Sequence, residues 1–262
     1  MPDRIPLSAF IITRNEADRL PATLAALRRL ADDIVVVDSG STDDTVAVAE
    51  RLGARVLHND WPGFGPQKRF AEEQCRHHWL LNLDADEVLG DAAIAEIRAL
   101  FAAGLPPKPG YYLNVVTIYP GRSKPRPLAD FYRINRLYDR RKMRYSDSLT
   151  DDRVVDAGQQ LGQIDGPVWH YSFRRLADIA PKLESYARQQ VREKLAGRSA
   201  GGLRARLLIE YPVNLMRYLF VRRHITGGIL GLRYAHQLAK SKKKRLKIFL
   251  QALRDREKSR KT

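Results

Sequence analysis

The chain has 262 residues, 44% of them hydrophobic, and a formal net charge of +16 at pH 7. That is enough apolar material to bury one α/β core and carry an appendage, which excludes a disordered chain. The single cysteine, Cys75, excludes an internal disulfide and a thiolate zinc cluster and fits a reduced, cytoplasmic setting.

The charge is unevenly spread. Residues 1–169 hold 22 Lys and Arg against 24 Asp and Glu, whereas residues 170–262 hold 24 against 6. A near-neutral body with a basic C-terminal third predicts contact with an anionic surface, either nucleic acid or acidic lipid headgroups. The opening MPDRIPLSAF lacks the basic and apolar segments of a signal peptide, so secretion is not expected. The stretch Ile225 to Leu232 falls far short of the ~20 apolar residues that cross a bilayer, so membrane contact should be shallow.

In chain order, Leu7 to Thr13 is a short apolar run rich in β-branched residues and predicts a buried strand. Pro21 sits in the first turn of a helix with Leu20, Leu24, Leu27 and Leu30 at helical spacing. Ile34 to Asp38 predicts a second strand ending on a carboxylate. Ser41 or Thr42 can cap the next helix, which ends near Gly53. Arg55 to His58 predicts a third strand, 67–77 a helix, and Trp79 to Leu83 a fourth strand running into Asp84. Alternation at this pitch implies parallel βαβ units, whose ligands bind at the carboxyl ends of the strands. Thr13, Asp38 and Asp84 each end a predicted strand and should therefore line one crevice. A helix at 91–103 follows, then strands at Tyr111 to Tyr119 and Arg133 to Tyr138, separated by a Pro/Arg-rich loop at 120–129. From 174 the chain reads as basic helices: one to 196, a Gly/Ser/Ala hinge at 197–202, and at least two more, with Pro212 interrupting one of them.

Four segments carry chemistry. In Leu80-Leu-Asn-Leu-Asp84-Ala85-Asp86-Glu87, two carboxylates at i and i+2 after a buried strand let one aspartate reach a sugar or ribose hydroxyl while the other binds a hard cation. Such a cation bridges the phosphates of a nucleotide diphosphate and neutralises the departing charge. In Thr13-Arg14-Asn15-Glu16 and Asp38-Ser39-Gly40-Ser41-Thr42-Asp43, small hydroxylated residues and a glycine let the backbone approach a flat base, and Asp38 can accept from a base N–H or a ribose hydroxyl. Ser41, Thr42 and Asp43 also read as a plain helix start. Lys68, in Gly63-Phe-Gly-Pro-Gln-Lys68, reads either as a cation facing anionic substrate or as an ordinary solvated helix lysine.

Together these segments resemble the family-2 glycosyltransferases of the GT-A fold, in the lipopolysaccharide-core β-glucosyltransferase branch, over residues 7–175. The resemblance implies a GT-A nucleotide-sugar-binding domain with a mostly parallel central sheet over 1–173, followed by a basic helical region over 174–262. It also implies a nucleotide-sugar donor, usually a UDP-sugar, Mg²⁺ or Mn²⁺, and inversion at the anomeric carbon. Carried over by position, Thr13, Asn15, Glu16 and Asp38 would hold the base and Asp84 the ribose, with Arg14, Gly40, Ser41 and Ala85 also in the donor site and Lys68 facing the diphosphate or the donor sugar. Asp86 would hold the metal, and His170, in Trp169-His170-Tyr171, would contact the metal or the diphosphate. Inversion needs one general base for the acceptor hydroxyl. The family's Val-His-acid motif aligns with Leu149-Thr-Asp151-Asp152, which assigns the base to Asp152 with Asp151 as the alternative and puts Asp151 where a histidine usually stands.

The acceptor implied is a glycolipid or lipid-linked saccharide. The basic tail, with amphipathic stretches at 203–223 and a Lys/Arg run at 240–247, predicts a peripheral protein on the cytoplasmic face of the inner membrane. The tail contains no nucleic-acid-binding motif. The competing readings are a nucleotidyltransferase and a catalytically idle membrane-bound scaffold that kept the fold.

Overall fold

The computed structural model describes residues 5–102, 104–150, 152–195 and 199–259. The N-terminal apolar run forms β1 (Ile5–Thr13). Pro21 opens α1 (Leu20–Leu27), whose three leucines are fully buried. β2 (Ala31–Asp38) starts ahead of the Ile34–Val37 run because Ile5 of β1 already pairs with Ala31 in parallel register. α2 (Thr45–Arg51), β3 (Arg55–His58), α3 (Phe64–Gln74) and β4 (Trp79–Asn82) follow. Ser41 and Thr42 do not cap α2. The helix starts at Thr45, whose backbone N–H donates to Asp43 Oδ1 at 3.0 Å.

After β4 come a three-residue strand, β5 (Glu87–Leu89), then α4 (Asp91–Ala102), β6 (Gly110–Thr117) and β7 (Phe131–Asp139). β8 (Arg144–Tyr145) and β9 (Val154–Val155) form a separate antiparallel ladder. β10 (Gly162–His170) is a strand that the sequence pattern does not announce, because Gly166 and Pro167 interrupt it. The main sheet runs β3-β2-β1-β4-β7-β6-β10-β5. Its β3-β2-β1-β4 half is parallel, and β7 joins β4 antiparallel. Apolar side chains fill both faces. Leu24, Leu27, Ala49 and Ile97 from α1, α2 and α4 pack on one, and Ala71 of α3, Tyr138 and Tyr145 on the other.

Two compact units divide the chain: residues to 116 with 131–170, and 117–130 with 171 onward. The Pro/Arg-rich loop thus belongs with the basic helices. In this second unit, α5 (Ile179–Lys194) and α6 (Ala200–Met216) pack on the long α7 (Gly228–Ser259). Pro212 lies inside α6 and does not end it; the helix continues to Met216 and only then passes into a π-helical turn at Arg217–Val221. The Lys240–Lys247 run is helical and lies within α7.

His224 pins the loop to these helices. Tyr119 shares a 2.6 Å hydrogen bond with His224 Nδ1, and buried Arg126 donates to the Arg222 carbonyl at 2.6 Å. Burial, with Arg126 and Arg222 nearby, lowers the His224 pKa from 6.5 to about 4. Because the folded pKa is depressed, the neutral ring's contribution is complete above pH 6.5 and is lost as pH falls towards 4. The loss amounts to about 3 kcal/mol at one pKa unit per 1.36 kcal/mol. Urea unfolding at pH 7 and pH 4 should show this decline in the native chain and a decline smaller by about that amount in His224→Gln; identical pH dependence in both would contradict it.

Candidate active site

The parallel strands end where the alternation predicts. Thr13 and Asp38 are register partners at the ends of β1 and β2, and Phe10 of β1 pairs with Asn82, the last residue of β4. The carboxyl edge of the sheet therefore carries Thr13, Asp38 and the Asp84-Ala85-Asp86 turn side by side.

The β1 and β2 loops lock each other. Asp38 Oδ2 accepts from the backbone N–H groups of Gly40 and Ser41 at 2.9 and 2.8 Å, and Oδ1 accepts from the Ser41 hydroxyl. Ser41 Oγ in turn accepts from the Asn15 N–H at 2.8 Å, and Asn15 Oδ1 accepts from the Thr42 N–H at 2.8 Å. Gly40 has φ +81° and nothing near the position a Cβ would occupy, so backbone conformation rather than crowding demands glycine there. The two N–H groups fill Asp38 Oδ2, whereas Oδ1, with one donor, keeps lone-pair capacity for a ligand N–H or O–H. The buried Thr13 hydroxyl makes no hydrogen bond to any described residue, an acceptor and donor left for something else to satisfy.

Beneath the turn lies a charged network. Lys68 of α3 is completely buried, which excludes a solvated helix lysine. Its ammonium contacts Asn82 Oδ1 at 2.9 Å, Asp84 Oδ1 at 3.1 Å, and both oxygens of Asp152 at 2.7 and 2.8 Å. Arg136 of β7, also buried, reaches Asn82 Oδ1 at 2.6 Å, Asp84 Oδ2 at 2.9 Å and Glu87 Oε1 at 3.0 Å. Burial opposes the charge on Lys68, but Asp152 and Asp84 outweigh it and its pKa rises. For Asp84 burial is likewise outweighed, by Arg136 and Lys68, which hold it well below the usual carboxylate range. Burial raises Glu87, with Arg136 opposing and the Asp84 charge adding to it. The Asp84 and Asp152 side chains remain 33% and 28% exposed, so both can still meet a ligand from above.

Asp152 arrives through the start of α3. The Phe64 and Gly65 N–H groups donate to the carbonyls of Leu149 and Ser148 at 3.1 and 3.0 Å, and a Cβ on Gly65 would come within 2.0 Å of the Ser146 carbonyl oxygen. The Gly63-Phe-Gly-Pro-Gln-Lys68 segment thus draws the 146–149 backbone against α3 and sets Asp152 on Lys68. Asp151 lies outside the described residues.

Asp86 and His170 meet on the other side of the turn. β10 pairs antiparallel with β5 and matches His170 to Glu87, which brings His170 Nε2 to 3.4 Å from Asp86 Oδ1. Tyr132 shares a 2.7 Å hydrogen bond with the other ring nitrogen and fixes the ring. Burial disfavours the imidazolium, but the hydrogen bond and charge of Asp86, with Glu87 and Asp84, outweigh it and the His170 pKa is raised. Arg19 holds the second Asp86 oxygen at 3.1 Å and also carries Glu16, whose carboxylate accepts from Arg19 Nε at 2.6 Å. Glu16 therefore braces the Asp86 side of the site, and Arg14 is exposed beside it. The Ala85 carbonyl accepts from buried Thr23 at 3.0 Å, anchoring the turn to α1.

A carboxylate and an imidazole in contact suit a divalent ion that completes its shell with substrate oxygens. No group of three or more His, Cys, Asp or Glu side chains able to hold a metal occurs among the described residues. The chemistry of this pair fits a hard divalent ion such as Mg²⁺ or Mn²⁺.

Arg136, Arg19, Asn82, Tyr145 and Glu87 escape the motif reading. Two of them had a signal in the sequence. Asn82 interrupts the apolar Trp79 to Leu83 run, and Arg136 sits among strand residues, positions where a polar residue is unusual unless it is paired. Tyr145, whose hydroxyl donates to Asn82 Oδ1 at 2.6 Å, had none.

Residues 8–156 match the family model described as Glycosyl transferase family 2. An uncharacterized glycosyltransferase of Rickettsia felis is 32% identical over 235 residues, covering 86% of this chain and 82% of that protein. The lipopolysaccharide core biosynthesis glycosyltransferase LpsC of Rhizobium meliloti is 44% identical over 105 residues, 38% of each chain. Among solved structures, S. aureus TarS 1-349 in complex with UDP aligns with a TM-score of 0.49 at 12% identity, covering 89% of this chain and 91% of that one.

Proposed function

The chain belongs to glycosyl transferase family 2 and has its GT-A fold, and from that premise we propose that it transfers a hexose from a UDP-sugar, with inversion, to a lipid-linked saccharide or lipopolysaccharide-core acceptor. One observation carries the reading. The carboxyl edge of the parallel strands gathers a polar loop with an unsatisfied hydroxyl, an aspartate turn beside a histidine, and a distant carboxylate delivered by Lys68.

In this reading Thr13, Asn15 and Asp38 hold the base, with Gly40 and Ser41 shaping the loop around it. Asp84, kept ionised by Arg136 and Lys68, accepts from a ribose hydroxyl. Asp86 and His170 would hold Mg²⁺ or Mn²⁺, which would supply positive charge against the leaving diphosphate. Asp152 takes the proton of the acceptor hydroxyl as that oxygen attacks the anomeric carbon from the side opposite the nucleotide, and one base suffices for one inverting step. Lys68 orients Asp152 and joins it to Asp84, so the proton acceptor and the donor contact move as one body. The LpsC similarity over 105 residues supports the acceptor class. The protein acts at the cytoplasmic face of the inner membrane, held there by its basic helices. A thermal-shift screen of UDP-, GDP- and dTDP-sugars with Mn²⁺ tests the donor: UDP-sugars should give the largest rise, and a larger rise with either other class would reassign the nucleotide.

A further inference from the structure

Exposed apolar side chains concentrate in one stretch of the second unit. Between 208 and 232, nine large ones are at least 41% exposed, among them Leu208, Val213, Met216, Phe220, Val221 and Ile229 at 54–80%. The packing explains why. The first half of α6 is covered, with Leu203 and Leu207 against Leu246, Phe249, Leu250 and Leu253 of α7. From 208 onward the only buried residue of α6 is Glu210, which accepts from Arg206 at 3.0 Å. Ile209, Val213, Met216 and Phe220 recur in steps of four, three and four, one side of a helix with nothing described against it. Past the turn the ridge continues onto the start of α7 through Ile229 and Leu232.

The charge around the ridge is predominantly positive; the acids that reach it from other elements are paired, Asp130 with Arg222 at 2.7 Å and Glu184 with Lys244 at 3.1 Å. Residues 203–254 hold 13 Lys and Arg and a single acid, the buried and paired Glu210. Arg217, Arg223 and Arg233 are exposed along the ridge, and Lys240, Lys244 and Lys247 farther along α7. A second copy of this chain would set the same positive field against itself. A nucleic acid would meet the arginines but leave the aliphatic side chains unsatisfied. An anionic bilayer surface answers both features, with headgroups for the arginines and acyl chains for the ridge. No described helix is long and apolar enough to cross a membrane, so the contact lies in the interface.

We propose that residues 208–232 form a monotopic insertion ridge that seats the chain in an anionic bilayer, while the Lys/Arg run of α7 supplies attraction without insertion. The proposal deepens the membrane part of the reading above and does not depend on the transfer chemistry; donor turnover and vesicle binding can each fail alone.

The test uses the full chain with vesicles of phosphatidylcholine containing 30% phosphatidylglycerol and with pure phosphatidylcholine. The native chain should float with the anionic vesicles, and Val213→Ser/Phe220→Ser/Ile229→Ser should lose at least about tenfold in partitioning, since three exposed apolar groups no longer enter the acyl layer. Because Cys75 is buried, Val221→Cys can be labelled selectively with an environment-sensitive dye. Its emission should shift to the blue on anionic vesicles, whereas a label at Lys244→Cys should not. Equal flotation of the triple variant, or a blue shift at 244 and none at 221, would overturn the proposal. So would a dimer that the triple variant dissolves, or oligonucleotide binding in place of vesicle binding.

Discussion

Arg136→Met should be the most destabilising single substitution at the site, lowering stability by about 3–5 kcal/mol, the range for removing one partner of a buried ion pair. In a chain of this size that is a fall in Tm of roughly 10 °C. The guanidinium is 2% exposed and touches Asn82, Asp84 and Glu87 at once. Methionine fills similar volume without the charge, so the packing loss is small and the electrostatic loss dominates. Asp84 would retain Lys68, but Glu87, whose pKa burial and Asp84 already raise, would lose the charge that opposes the rise. Adding Glu87→Gln to Arg136→Met should therefore recover part of the loss. A single variant that melts within about 2 °C of the native chain would contradict the network described here.

Asp152→Asn should lose about 10²–10⁴-fold in transfer, the usual size of a general-base contribution, with donor affinity little changed. The isostere keeps the size of the side chain and one of the two oxygen contacts with Lys68, and that lysine keeps Asp84 and Asn82, so the donor side stays in place. What disappears is the capacity to accept the acceptor proton. Single-turnover transfer measured beside donor titration separates the two effects. Full transfer by the variant, or loss in Asp151→Asn instead, would move the base by one residue.

Much of this was legible in the sequence because strand ends and helix starts leave local marks. The β-branched runs before Thr13 and Asp38, Pro21, and the carboxylates after Trp79 to Leu83 located the crevice without any tertiary information. The remainder depends on pairings remote in sequence. Arg136 meets Asp84 because β7 pairs antiparallel with β4, His170 meets Asp86 because β10 pairs with β5, and no local pattern records either register. Lys68 illustrates the same limit from the other side. Its position on a helix allowed a solvated reading, whereas its ammonium is enclosed by Asn82, Asp84 and Asp152, the last of them 84 residues away in the chain. Glu87, to which the motif assigned nothing, proves to brace the turn through the Asp84 N–H at 3.0 Å.

The central claim is that this edge of the sheet binds a nucleotide sugar through a divalent ion at Asp86. Calorimetric titration of a UDP-sugar into the native chain and Asp86→Ala, each with and without Mn²⁺, tests it most directly. Saturable binding that Mn²⁺ strengthens is expected in the native chain, and Mn²⁺ should no longer strengthen it in the variant. Binding by Asp86→Ala with an undiminished Mn²⁺ effect, or no binding by the native chain with Mn²⁺ present, would contradict it.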